Sequence, residues 1–141
     1  MLKQAYLMRN LKGDTVQCRV CEHFCVLDPG DWGKCGVRVN QEGVLYLAVY
    51  GNAVAAHVDP IEKKPLFHFL PGTDAFSIGT YGCNMKCQWC QNWQLSQTRR
   101  VPPGEQEEAD FTPERIVEIA ENRHLASIAY TYNEPTVFFE Y

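Results

Sequence analysis

The sequence predicts an α/β protein in which a small cysteine-rich β module precedes a strand, loop, helix, strand unit. Three observations predict it. Four cysteines lie among turn formers at residues 18–35, alternating apolar residues recur through residues 36–58, and helical periodicity separates two short apolar runs between residues 74 and 131. The chain divides accordingly into a four-cysteine knuckle at 1–40, a β-rich connector at 41–72 and an α/β part at 73–141.

In the first part, Cys18-Arg-Val-Cys21-Glu-His-Phe-Cys25 is followed by Cys35 after Asp28-Pro-Gly-Asp-Trp-Gly-Lys. Four thiolates so close together suit tetrahedral zinc, and they equally suit a second iron–sulfur cluster with no open position. Unmetallated thiols are the third reading. His23 lies inside the run and is read as a surface histidine, with replacement of one cysteine ligand as the alternative.

The connector reads as strands at 36–40, 44–50 and 53–58, separated by Gln41-Glu-Gly43 and Gly51-Asn52 as hairpin signals. Leu45, Leu47 and Val49 share one face, while Tyr46, Ala48 and Tyr50 occupy the other. Both faces are apolar, so both are expected to be covered. The pairs Lys63-Lys64 and Arg99-Arg100 are expected at a solvated surface, with contact to a substrate or cofactor carboxylate as the alternative.

Residues 74–80 form a buried strand, since Phe76 and Ile78 alternate before Gly79, Tyr81 and Gly82 break the pattern. At its carboxyl end stands Cys83-Asn-Met-Lys-Cys87-Gln-Trp-Cys90. Three thiolates cannot close a four-iron cubane, so one iron is left open, and an open position makes a metal site reactive. Zinc completed by a distant ligand, or three buried thiols, are the plain alternatives.

Pro102-Pro-Gly104 and the acidic run Glu105–Asp110 predict an exposed loop. A helix follows over 110–124: Thr112 is placed to cap it, Pro113 suits the first helical position, and Ile116, Ile119 and Ala120 form an apolar stripe. Ala126–Thr131 is the second strand. A strand, helix, strand order predicts that the two strands run parallel, and in such folds reactive residues sit in loops at the strands' carboxyl ends.

Gly79-Thr-Tyr-Gly-Cys83-Asn-Met-Lys-Cys87-Gln-Trp-Cys90-Gln-Asn resembles the cluster loop of the radical S-adenosylmethionine (radical SAM) superfamily, including the aromatic residue before the third cysteine. Together with Asp59–Gly72, the cysteine-rich amino terminus and Ala129–Thr136, it resembles the radical enzyme of the AmmeMemoRadiSam system, a pyruvate formate-lyase-activating-enzyme-like protein. The resemblance implies the start of a partial (β/α) barrel and a [4Fe-4S] cluster held by Cys83, Cys87 and Cys90. S-adenosyl-L-methionine would bind the open iron, be cleaved after one-electron reduction, and yield a 5′-deoxyadenosyl radical that abstracts hydrogen from substrate. It also implies that Trp89 packs near the adenine and that Glu134 holds the methionine amino group, although the motif here is Tyr-Asn-Glu-Pro where many relatives have Gly-Gly-Glu. No side chain is assigned a catalytic role of its own. The implied partners are a one-electron reductant such as flavodoxin or ferredoxin, and a protein or other macromolecular substrate. The alternative is a non-catalytic module with zinc in both cysteine groups. Glu134 also has a plainer role open to it, as cap of a helix starting at Pro135-Thr136.

Net charge is −4, with eight basic and seven acidic groups in residues 1–72 and five against ten in 73–141. This balance does not point to nucleic acid. Seven cysteines is an odd count, the first residues carry charges without a long apolar core, and no run reaches about 18 apolar residues. The expectation is therefore a reduced, cytoplasmic protein that does not enter membranes. A complete barrel needs roughly 200 residues or more, so residues 73–141 are expected to be the front of a larger enzyme, ending in the first turns of another helix.

Overall fold

Turn chemistry and strand pairing build the first half of the molecule. The computed structural model describes residues 1–98, 100 and 111–141. The strands are β1 (Lys3–Gln4), β2 (Met8–Asn10), β3 (Val16–Cys18), β4 (Val26–Leu27), β5 (Arg38–Gln41), β6 (Val44–Leu47), β7 (Ala55–Pro60), β8 (Asp74–Gly79) and β9 (Ser127–Tyr130). Two short helices, α1 (Trp93–Ser96) and α2 (Pro113–Asn122), and 3-10 turns at Ile61–Lys63 and Pro135–Phe138 complete the described elements. The domain is mixed α/β, mostly sheet.

Three small sheets result, ordered β1-β6-β5, β2-β3-β4 and β7-β8-β9. β5 and β6 close a two-residue hairpin, because Gln41 pairs with Val44 while Glu42 and Gly43 both take positive φ. That is the turn whose twist matches the strands. Gly51-Asn52, by contrast, closes no hairpin: β7 pairs antiparallel with β8, not with β6. Apolar alternation makes a strand without choosing its partner. Here Gly51 sits against Thr112 at the start of α2, and Tyr50 packs on Tyr141, which turns the chain away from β6.

The predicted strand, helix, strand unit is present, with β8 and β9 parallel from Ala75↔Ser127 to Ile78↔Tyr130. The helix starts where its cap chemistry dictates, as Thr112 Oγ1 accepts the N–H of Arg115 and Pro113 occupies the first turn. Ile116 of α2 packs with Phe76 and Ile78 of β8. Burying an aliphatic side chain of this kind contributes about 1.5–3 kcal/mol. β9 is an outer strand among the described residues, and Leu66, Phe69 and Lys64 line a cavity of about 250 Å³ along it.

Leu45, Leu47, Val49 and Ala48 are all buried, so the apolar connector is covered as its composition requires. One core holds Val16, Cys18, Leu27 and Leu45. A second joins Cys35, Val37, Leu47 and Val49 to Val137 and Phe138. Arg38 is buried with it and forms a bidentate pair with Glu140, Nη1 to Oε1 at 3.0 Å and Nη2 to Oε2 at 2.5 Å. Arg38 Nε also donates to the Val137 carbonyl at 3.2 Å. Among the described residues no helix is long and apolar enough to cross a membrane. Arg99 and the acidic run Glu105–Asp110 lie outside the described residues.

Candidate functional site

Parallel pairing puts the segments that leave β8 and β9 at the same end of the sheet. Gly79 admits the close approach: a Cβ there would lie 2.7 Å from the Thr131 carbonyl and 2.9 Å from Tyr132 Cβ. Asn133 then ties the two segments together. Its Nδ2 donates to the Gly82 carbonyl at 2.6 Å and to Thr80 Oγ1 at 3.1 Å, and its Oδ1 accepts the Thr80 N–H at 3.3 Å. The residue joining the cysteine loop to Tyr-Asn-Glu-Pro is thus Asn133, which sequence reasoning passed over in favour of Glu134.

Glu134 lies in that same strand-end segment, where Oε1 accepts from the Thr136 N–H at 3.2 Å and the Thr136 hydroxyl at 2.6 Å. It caps the 3-10 turn that follows.

The three loop cysteines differ in exposure: Cys83 is buried, Cys90 half-buried and Cys87 exposed. The Met85 N–H donates to Cys83 Sγ at 3.4 Å, and Cys90 Sγ lies 3.3 Å from Ser96 Oγ of α1. Trp89 is 84% exposed, so it is no part of the core, and its neighbours Met85 and Trp93 are exposed as well. The loop therefore exposes one thiol and two large side chains, Met85 and Trp89, with Trp93 exposed at the start of α1.

The loop rests on the amino-terminal module. The Cys83 N–H donates to the Cys35 carbonyl at 3.2 Å, and His23 Nε2 donates to the Asn84 carbonyl at 2.9 Å. At Gly82, φ is +80°, and a Cβ would stand 2.5 Å from both the Cys35 carbonyl and Val37 Cγ1. Only glycine fits there.

Cys18, Cys21, Cys25 and Cys35 line one small cavity of about 10 Å³ together with Val20, His23, Gly33, Arg38 and Val137. Burial pushes the Cys35 thiol up to about 11 and raises that of Cys18 as well. As the side chains stand, no three His, Cys, Asp or Glu groups among the described residues converge to hold a metal ion. The donor chemistry of both cysteine groups nevertheless suits thiolate-bound metal, a single ion in the cavity and a cluster at the open loop.

A polar network occupies the face of the sheet opposite α2. Asp59 on β7 is buried and accepts from Lys63 Nζ at 2.6 Å and Lys64 Nζ at 3.0 Å. The Lys63 hydrogen bond, seconded by Lys64, holds its carboxyl well below the usual range despite burial. Tyr132, at φ +69°, reaches Asp59 Oδ2 and His57 Nδ1, both at 3.3 Å. Lys63 is exposed, as expected of a solvated position, and it shares with the more covered Lys64 a single buried carboxylate partner. Their i+4 and i+5 spacing from Asp59 was the sequence signal.

No family model and no solved structure matches the chain. It is similar to an uncharacterized protein of Methanocaldococcus jannaschii, with 43% identity over 140 residues that cover 99% of this chain and 41% of that protein. The chain thus spans less than half the length of the curated relative it matches.

Proposed function

We propose that this chain forms the amino-terminal part of a radical SAM iron–sulfur enzyme, with Cys83, Cys87 and Cys90 as cluster ligands. One observation carries the reading: a C-x3-C-x2-C loop leaves the carboxyl end of β8 beside the end of the parallel strand β9. Three thiols on one strand-end loop leave a coordination position open, which is the donor set that reactive clusters require. When bound, the cluster and S-adenosyl-L-methionine would supply reductive cleavage of the latter to methionine and a 5′-deoxyadenosyl radical.

The chain's own residues orient and limit access. Asn133 and Gly82 fix where the loop begins, Trp89 is available to cover an adenine, and Glu134 is within the segment that would meet the methionine amino group once it leaves Thr136. The outer edge of β9, with its adjoining groove, is where a further barrel strand would add. A one-electron reductant such as flavodoxin or ferredoxin and a protein substrate belong to the same reading.

Anaerobic reconstitution tests it. Four irons and four sulfides per chain are expected, with a reduced-cluster spectrum that changes on addition of S-adenosyl-L-methionine. Zinc alone, without reducible iron, would establish the non-catalytic zinc module instead.

A further inference from the structure

The four amino-terminal cysteines are not used by that chemistry, and their surroundings are those of a second site. They come from two turns that face each other. Cys18 ends β3, Cys21 and Cys25 lie in the turn to β4, and Cys35 lies in the turn before β5. Backbone bonds set the first turn, with Cys18 N–H to the Cys25 carbonyl at 2.9 Å and Phe24 N–H to the Cys21 carbonyl at 3.2 Å, while Phe24 takes φ +42°. The second is closed by Gly36 N–H to the Gly33 carbonyl at 2.9 Å.

Two thiols are buried and two are half-buried, so the cavity has an apolar floor and a way in. Four sulfurs around one confined cavity are the donor set of a single tetrahedral ion. Of single ions, four thiolates in a reducing compartment favour tetrahedral zinc.

We infer that Cys18, Cys21, Cys25 and Cys35 bind a single zinc ion that stiffens the wall on which the backbone of Gly82, Cys83 and Asn84 rests. The thiols stand around the cavity without converging on it, so binding turns their side chains inward. The ion does no redox work. Its effect is carried outward by the Cys35 carbonyl, which holds Cys83, and by His23, which holds Asn84. The site stands apart from the cluster reading, since its ligands and those of the loop are different residues.

The test loads the full chain with zinc, and separately with cobalt, under reducing and iron-free conditions. About one metal per chain is expected, with thiolate-to-cobalt charge transfer and intense tetrahedral ligand-field bands. Cys21→Ser and Cys25→Ser, at half-buried turn positions, should weaken binding at least about tenfold by chelator competition, while Cys87→Ala leaves it unchanged. For the wild-type chain, zinc removal should speed amide exchange at Cys83 without unfolding α2. Binding of less than a tenth of an equivalent, loss of the zinc in Cys87→Ala, or iron with sulfide bound in this cavity would each overturn the inference. So would unchanged exchange at Cys83 after zinc removal, for the supporting role.

Discussion

The backbone N–H of Cys83 donates to the carbonyl of Cys35, so the first cysteine of the strand-end loop is anchored to the last cysteine of the amino-terminal group. The two groups are adjacent in space although separate in sequence. Gly82 makes that contact possible. Gly82→Ala puts a methyl group 2.5 Å from two atoms at φ +80°, and a loss of about 2–5 kcal/mol in urea unfolding is expected from strain and overpacking.

Asn133→Ala removes three hydrogen bonds that tie the two strand-end segments. With Thr80 and Gly82 left buried and unsatisfied, about 1–3 kcal/mol should be lost. Asn133→Asp keeps the acceptor and loses the donors, so it should recover only the Thr80 N–H contact. Equal stability of all three proteins would show that the clamp carries no energy.

Removing either member of the Arg38 and Glu140 pair leaves a buried charge alone. Arg38→Met and Glu140→Leu should each cost about 3–5 kcal/mol, whereas the two combined should recover most of it. Chemical denaturation of the four proteins in a double-mutant cycle measures the coupling directly.

Asp59 gives the chain an acid-sensitive contact. Its folded carboxyl titrates below the ordinary value of 3.8, chiefly through the Lys63 hydrogen bond. The stabilisation is therefore complete above the ordinary value and is lost as pH falls below it towards the depressed folded value. Asp59→Asn should flatten the stability profile in this acid range and leave its shape at neutral pH unchanged, as followed by thermal melts from pH 2 to 7.

If the loop holds the proposed iron–sulfur cluster, Cys87→Ala should abolish its reconstitution, while Cys21→Ala should retain it in reduced yield, because Cys21 lies in the module that supports the loop and not in the loop itself. Iron and sulfide content reads both. A full cluster in Cys87→Ala would remove that residue from the ligand set.

Local chemistry was the legible part of this molecule. Thr112, Pro113 and the Ile116, Ile119 stripe locate α2, and the alternation at Phe76 and Ile78 locates β8, because caps and periodicity act within a few residues. Partner choice was not legible at Gly51-Asn52, where the turn signal is sound but β7 belongs to β8. The side chains that decide this, Thr112 and Tyr141, lie far along the chain. The cysteines of both groups announced themselves by spacing, and so could Asp59, whose lysine partners stand four and five residues on, whereas Asn133 acts through long-range contacts that spacing does not show. Trp89 reads as an aromatic in either a core or a site, and only its exposure separates the two.

The Arg38 and Glu140 pair joins residues 102 positions apart, which bears on how the chain is born. During synthesis the amino-terminal module emerges first, with a guanidinium in its interior and no carboxylate to meet it until Glu140 follows. The module's final packing must then wait for the segment after β9. Contacts of such sequence separation slow folding, so the nascent cysteines remain accessible for longer than a module closed on itself would leave them.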